Sequence, residues 1–214
     1  MVGVVSPIPQ GVRESMQIVA TRHALFGTGG RPMSEADVSR VVQIFESNHA
    51  AWALVGAHAV GLLTQPRATG DFDFIVESQK MNRVIRDLEA EFGDLGQRDI
   101  GGAVELAAIS IDLIHSANHP LFGEALRQVR TVGDWKVPRT EVLIALKFLA
   151  SISPWRNRDK RALDIVDLRA IYHAVGDQLD RDELIRLGGL AYPEAAREFG
   201  ELLDKIDRGE PLSV

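Results

Sequence analysis

Residues 52–77, WALVGAHAVGLLTQPRATGDFDFIVE, contain the pattern that decides the fold. An apolar run ends at Gly56, a short helical segment and a loop follow, and a second apolar run carries Asp71 and Asp73. Side chains at positions i and i+2 of a strand share a face, so both carboxylates point to the same side, roughly 7 Å apart at the backbone. Two like charges at that separation are unfavourable unless a cation lies between them.

The composition is that of an ordinary soluble globular protein, with 45% apolar and 25% charged residues among 214. A net charge of −6 excludes an overall basic coat for nucleic acid but allows a local basic patch. The absence of cysteine excludes disulfides and thiolate metal sites and fits a cytoplasmic protein. No apolar run approaches the roughly 20 residues of a membrane span, so we expect no membrane partner.

The order of patterns predicts an α+β fold, with a mixed β-sheet core and flanking helices followed by a C-terminal helical bundle. Strand signals stop near residue 138, where the pattern becomes helical throughout. We therefore predict three parts: an N-terminal extension over 1–33, an α/β core over 34–137 and a helical domain over 138–214. The short linker between the last two predicts that they pack together around a cleft.

Local signals predict individual elements. Ser34, with Asp37 in the capping-box position, begins a helix predicted over 35–48. A Gly/Pro cluster at 27–32 predicts a loop before it. Further along, we predict a helix over 118–130 and a short strand over 131–137.

A third acid, Asp112, lies in an apolar run like those around Asp71 and Asp73. Burying an unpaired carboxylate is costly, so each acid needs a partner. One interpretation is that each acid caps a turn or pairs with an arginine. The other is a shared metal site, where an all-oxygen ligand set without His or Cys favours a hard cation. We predict Mg²⁺, with Mn²⁺ as the alternative, and a reaction of phosphoryl or nucleotidyl transfer, in which Asp112 could instead accept a proton.

Residues around the acids could contact phosphates. Gly56 allows close approach of a ligand to the backbone, and the backbone N–H groups that follow, beginning with Ala57, are free to donate to a phosphate. Arg67 and Thr69 lie just before the acids and are further candidates.

The sequences Gly56-Ala57-His58-Ala59-Val60 and Arg67-Ala68-Thr69-Gly70-Asp71-Phe72-Asp73 resemble the nucleotidyltransferase superfamily, which has a polymerase-beta-like fold. In that family a Gly turn and helix precede an Asp-x-Asp pair, and a third acid lies on a later strand, here Asp112. The version in this chain looks closest to the AbiEii-like and MenT-like toxin branch and to related uncharacterised bacterial proteins. One departure is Ala57, since the family often has Ser or Gly there.

The helical half extends the resemblance. Lys147 matches a lysine that the family carries in the helix after the core, and 158–164, RDKRALD, resembles a second family segment, with Arg161 where an aspartate is usual. The resemblance implies that Lys147, Arg158 and Lys160 bind nucleotide. From the residues alone, Lys160 and Asp164 could instead simply pair on a helix surface. Arg156, Arg158, Lys160 and Arg161 beside Trp155 form the best candidate patch for phosphates.

The resemblance implies an enzyme that moves a nucleoside monophosphate from an NTP, such as ATP, to an acceptor hydroxyl on tRNA, protein or a small molecule. Its catalytic and metal-binding residues would be Asp71, Asp73 and Asp112. The branch further implies a bacterial toxin with a cognate antitoxin as partner. The alternatives are a non-catalytic nucleotide-binding regulatory module with the same fold, and a plain metal-binding protein.

Overall fold

The computed structural model describes residues 8–26, 32–133 and 135–212. In chain order the helices and strands are α1 Gln10–Phe26, α2 Glu35–Ser47, β1 Trp52–Val55, α3 Gly56–Val60, β2 Phe72–Val76, α4 Met81–Phe92, β3 Gln97–Asp99, β4 Ala103–Leu106, β5 Ile111–His115, α5 Pro120–Arg127, β6 Val129–Val132, β7 Trp135–Pro138, α6 Thr140–Ser151, α7 Arg158–Val175, α8 Arg181–Gly188 and α9 Ala195–Asp207. No helix within these ranges is long and apolar enough to cross a bilayer.

A five-stranded mixed sheet forms the centre, in the order β1-β2-β5-β4-β3. Strands β2 and β5 are parallel, and the other pairs are antiparallel. The parallel pair places Asp73 directly beside Asp112. The register of the whole sheet therefore sets two acids from distant parts of the sequence side by side.

Aromatic side chains fill the face of β2 opposite the acids. Phe74 alternates with Asp73 along the strand and lies at 5.2 Å, between ring centroids, from Phe45 of α2. Trp52 of β1 and Trp135 of β7 contact the same ring at 5.9 and 6.4 Å. These large buried rings fix the register of β2, because a shift by one residue would exchange the aromatic and acidic faces.

The helix before β1 begins as its sequence predicts. The Ser34 hydroxyl accepts a hydrogen bond from the Asp37 backbone N–H, and the Asp37 carboxylate accepts one from the Ser34 backbone N–H. This reciprocal capping box satisfies two backbone donors that the first turn leaves free. The predicted loop over 27–32 lies outside the described residues except for Pro32.

The predicted α+β architecture is confirmed: a mixed sheet is flanked by helices and followed by the helices α6 to α9. The core continues into that helical half, where Phe148 of α6 stacks on Phe199 of α9 at 4.5 Å. The N-terminal helix α1 also joins the core through buried Val12. The boundaries at residues 33 and 138 stay predictions.

One segment differs from its prediction. Instead of a helix over 118–130 and a single strand, the chain forms the short helix α5 and then the antiparallel strands β6 and β7. The β-branched residues Val129, Thr131 and Val132 favour a strand over the end of a helix. Gly133, with φ of +62°, permits the turn after β6.

Candidate functional site

Carboxylates form a row across one face of the sheet. Asp73 on β2 is in register with Asp112 on β5, and Asp112 is in register with Glu105 on β4. Asp71 lies one residue before β2 and is exposed, whereas Asp73 and Asp112 are half-buried. The structure thus brings together all three acids that the sequence singled out and adds a fourth.

The row ends in an ion pair. Arg98 on β3 is in register with Glu105, and its Nη2 lies 2.6 Å from Glu105 Oε2. Among the described residues, Asp71, Asp73 and Asp112 accept no such contact: no side chain or backbone donor bonds them. The interpretation that each acid caps a turn or pairs with an arginine is therefore wrong for the described part of the chain.

The Gly56 backbone presses against the Asp73 carboxylate. A Cβ added at Gly56 would lie 1.9 Å from Asp73 Oδ2, well inside contact distance, and the residue has φ of +66°. Both the space and the backbone conformation therefore require glycine here. The turn between β1 and α3 therefore forms one wall of the site around Asp71, Asp73 and Asp112, which we call the acid site.

Burial and mutual repulsion disfavour the charged forms of these acids. Burial, and then the charges of Asp73, Asp71 and Glu105, raise the pKa of Asp112 to about 7. Burial also raises the pKa of Asp73, against the opposing charges of Lys147 and Arg156. The pKa of Asp71 is raised by burial as well, with Lys160 opposing. A bound cation would relieve this repulsion and return the acids to their charged forms.

The donor set fits a hard divalent cation. Carboxylate oxygens without hydrogen-bond donors, on adjacent strands and beside a glycine wall, are the ligands that Mg²⁺ accepts. Within the described ranges, no group of three or more acidic or histidine side chains is placed to hold a metal ion by itself. An incomplete set suits Mg²⁺, which typically keeps waters or substrate phosphates beside one or two carboxylates.

A buried ion cluster joins the acid site to the helical half. Arg67, in the loop before β2, donates to both oxygens of Asp167 on α7, at 3.1 and 3.0 Å. Lys147 Nζ on α6 lies 2.7 Å from Asp167 and 2.9 Å from Asp164. Arg156 Nε completes the cluster at 2.7 Å from Asp164. We call these five residues the ion cluster.

The ion cluster gives Arg67 and Lys147 protein partners. Burial alone would raise the pKa of Asp167, but the hydrogen bond from Arg67 and the charge of Lys147 hold it below its usual range. Asp164 is buried and pairs with Lys147 and Arg156, so the suggested surface pair of Lys160 with Asp164 is not found. Phosphate contacts of Arg67 and Lys147 remain predictions.

The other predicted phosphate ligands lie around this cluster. Arg158 and Lys160 are exposed in the first turn of α7, and neither forms an ion pair with another described residue. Lys160 lies near enough to lower the pKa of both Asp71 and Asp112 by its charge. Thr69 is half-buried in the loop before β2, and Ala57 is buried in α3.

His58 belongs to the core rather than to the helix surface. Its ring is 1% exposed and stacks on Phe72 at 3.9 Å with an angle of 11° between the planes. Neither ring nitrogen has a hydrogen-bond partner in the described part of the chain. Burial, with a smaller contribution from the charge of Arg67, lowers its pKa to about 3, so the imidazole is neutral at ordinary pH.

The sequence did not predict a role for two acids at the site, Glu105 and Asp167. Glu105 alternates with apolar neighbours in residues 104–106, which is a strand signal, but only the sheet register places it beside Asp112. Asp167 follows Asp164 at helical spacing, which predicts a shared face but no partner. Its partner Arg67 is 100 residues away in the sequence.

Comparisons with known proteins give distant similarity. No family model and no curated protein matches the chain. The antibiotic-resistance factor ANT(2'')-Ia matches with a TM-score of 0.47 and 14% identity, over 82% of this chain and 97% of that one. An antigenic nucleotidyltransferase-like protein from Paracoccidioides brasiliensis matches with a TM-score of 0.44 and 16% identity, over 83% and 95%. We therefore base the proposed function on the geometry of the site.

Proposed function

We propose that the chain is a Mg²⁺-dependent nucleotidyltransferase, which moves a nucleoside monophosphate from an NTP to an acceptor hydroxyl. The observation that carries the proposal is the pairing of Asp73 with Asp112 across two parallel strands, against the Gly56 wall. These carboxylates have no protein donor among the described residues and sit beside cations of α6 and α7. That combination suits a site for a cation and a polyphosphate.

In this proposal Asp71 and Asp73 hold the cation, with Mn²⁺ able to replace Mg²⁺. When bound, the cation neutralises charge on the phosphate oxygens. Asp112, which accepts no hydrogen bond from a described residue and lies in register with Asp73, takes the proton of the acceptor hydroxyl. The acceptor oxygen then bonds to the α-phosphorus as the bond from that phosphorus to the pyrophosphate oxygen breaks. Pyrophosphate leaves, and its charge faces Lys160 and Arg158.

The ion cluster keeps the site in place. Arg67 and Lys147 hold the loop before β2 against α7, and their charges lie close enough to Asp73 to affect its ionisation. A net positive cluster behind the acids favours the binding of a polyphosphate. The resemblance to the AbiEii-like and MenT-like branch adds the proposal that the protein is a cytoplasmic bacterial toxin with a cognate antitoxin.

Thermal unfolding tests ligand binding directly. With Mg²⁺ and an NTP at about 100 times its Kd, we expect a gain of about 2.7 kcal/mol, or roughly 5–10 °C in Tm. A metal-dependent shift without any effect of NTP would favour a plain metal-binding protein and contradict the proposal. No shift with any NTP would do the same.

Transfer is tested with each labelled NTP and a mixture of total RNA and protein. Asp73→Asn should abolish labelling and leave the metal-free protein at least as stable, because it removes one repelling charge. Asp182→Asn, at an exposed position in the first turn of α8, is the matched control and should keep full activity. Full activity of Asp73→Asn would refute the cation assignment.

A further inference from the structure

The turn between α6 and α7 presents an aromatic ring to solvent. Trp155 is 90% exposed, whereas Trp52 and Trp135 are 1% and 3% exposed. Tryptophan is highly buried on average, so the exposed ring of Trp155 is available to stack on a ligand.

The turn that carries Trp155 is held firmly on both sides. Arg156 Nε lies 2.7 Å from the buried Asp164, and the Arg156 backbone N–H donates to the Ser153 carbonyl at 3.2 Å. On the other side, the Asn157 side chain accepts a hydrogen bond from the Lys160 backbone N–H at 2.8 Å. The ring thus projects from an ordered support, so little entropy is lost when a ligand stacks on it.

Cations follow Trp155 closely in the sequence. Arg158, Lys160 and Arg161 follow within six residues and form no ion pair with any other described residue, and Asp159 is the single acid among them. This local charge is opposite to the net charge of −6 of the whole chain. An anionic ligand is therefore drawn to this surface and repelled by most of the rest.

The surface borders the acid site. Lys160 acts on Asp71 and Asp112 by its charge, and Arg156 acts on Asp73. A ligand with its aromatic part on Trp155 and its phosphates on the cations would extend toward the carboxylates. Aromatic stacking combined with a cationic track is the recognition mode of single-stranded nucleic acid, since every base has a face that stacks.

We propose that Trp155, with Arg158, Lys160 and Arg161, forms a stacking platform for a single-stranded nucleic acid, which is the acceptor of the transfer reaction. The acceptor role rests on the proposed function, but the binding does not. The platform stacks one base on Trp155, and the cations hold the adjacent phosphates.

Trp155 provides its own probe. It is the only strongly exposed tryptophan, so acrylamide quenching of the fluorescence reports mainly on its ring. An oligonucleotide of about eight nucleotides should protect it from quenching, in the inactive Asp73→Asn background so that no transfer occurs. Protection should weaken as the salt concentration rises, because binding of the protein releases counterions from the strand.

Two sets of variants distinguish the contribution of stacking to oligonucleotide binding from that of charge. Trp155→Ala should weaken binding roughly 5- to 100-fold, measured by anisotropy of a labelled strand, and Trp155→Phe should restore most of it. Leu25→Ala, which removes another exposed apolar side chain (70% exposed, on α1), is the control and should leave binding unchanged. Arg158→Gln with Lys160→Gln should reduce the salt dependence of binding, and Lys205→Gln on α9 should not.

Several results would overturn the platform. The first two are unchanged oligonucleotide binding by the Trp155→Ala variant and a Trp155 ring that the oligonucleotide does not protect from quenching. The third is a polyglutamate peptide that protects the ring as well as the oligonucleotide does, which would indicate a protein partner. Stabilisation by Mg²⁺ and NTP without oligonucleotide binding would refute the platform and leave the proposed function. Oligonucleotide binding without NTP stabilisation would support the platform and refute nucleotidyl transfer.

Discussion

Gly56→Ala tests the contact that forms one wall of the acid site. The added methyl group would lie 1.9 Å from Asp73 Oδ2 and 2.7 Å from its Cγ, so the carboxylate must turn away. That movement costs about 0.5–1.5 kcal/mol if it forces an unfavourable rotamer. Alanine at φ of +66° costs about 1–2 kcal/mol more. We expect a loss of about 2–3 kcal/mol in the free energy of unfolding, or roughly 4–12 °C in Tm.

Gly209→Ala is the matched control. Gly209 has φ of +68°, and a Cβ there would meet nothing within 4 Å, so this variant bears only the backbone cost. The difference between the two variants in urea denaturation therefore measures the contact with Asp73. In an Asp73→Ala background, Gly56→Ala should cost about 1 kcal/mol less, because the clashing atoms are gone.

Additive effects of Gly56→Ala and Asp73→Ala would refute the close contact. So would equal losses for Gly56→Ala and Gly209→Ala. If the contact is real, Gly56→Ala should also lose nucleotidyl transfer, since the displaced carboxylate no longer faces Asp112. Gly209→Ala should keep that activity.

Three further predictions concern buried charge. The pKa of His58 is lowered to about 3, so between about pH 6.5 and pH 3 the unfolded chain binds a proton that the folded protein does not bind. The free energy of unfolding therefore falls as the pH drops below 6.5. His58→Phe should remove about 2 kcal/mol of that loss between pH 6.5 and 5, and an unchanged acid limb in urea denaturation would contradict the assignment. The shift of Asp112 acts in the opposite direction, because its pKa is raised from 3.8 to about 7. Between these pH values the cation-free folded protein keeps a proton that the unfolded chain releases. The free energy of unfolding therefore falls as the pH rises from about 4 to 7. Asp112→Asn should reduce this loss between about pH 4 and 7 by about 1–2 kcal/mol, a value lowered because Asp112 is partly exposed. Saturating Mg²⁺ should have a similar effect on the unmutated chain. Lys147→Met should destabilise the protein by about 3 kcal/mol, because it leaves buried carboxylates short of a cation, whereas Arg197→Gln, which breaks an exposed pair with Glu201, should cost less than about 1 kcal/mol. Equal effects of these two variants would refute the role of the buried lysine.

The sequence predicted those features that depend on local chemistry. Ser34 and Asp37 have the residue types and spacing of a capping box, and the helix begins there. The apolar runs around Asp73 and Asp112 predicted two strands, and alternation predicted that Asp71 and Asp73 share a face. The prediction was wrong at residues 128–138, where the predicted helix ran too far: the β-branched residues after α5 favour a strand, and the pairing of β6 with β7 stabilises it.

Long-range partners could not be predicted. The register that sets Glu105 beside Asp112 depends on how four strands align, and many alignments preserve the same alternation. In the sequence, Arg67 looks like a free phosphate ligand, because its partner Asp167 lies 100 residues further along the chain on α7. The candidate site is therefore predictable in its acids and much less so in its cations.

The pairing of Arg67 with Asp167 has a consequence for the order in which the protein matures. During synthesis on the ribosome, the loop before β2 emerges long before α7, so its guanidinium has no carboxylate partner for the next 100 residues of chain growth. All five strands of the sheet are also complete by residue 115. A nascent chain therefore has its row of acids before the ion cluster that holds it, and the site is finished only after α7 has emerged.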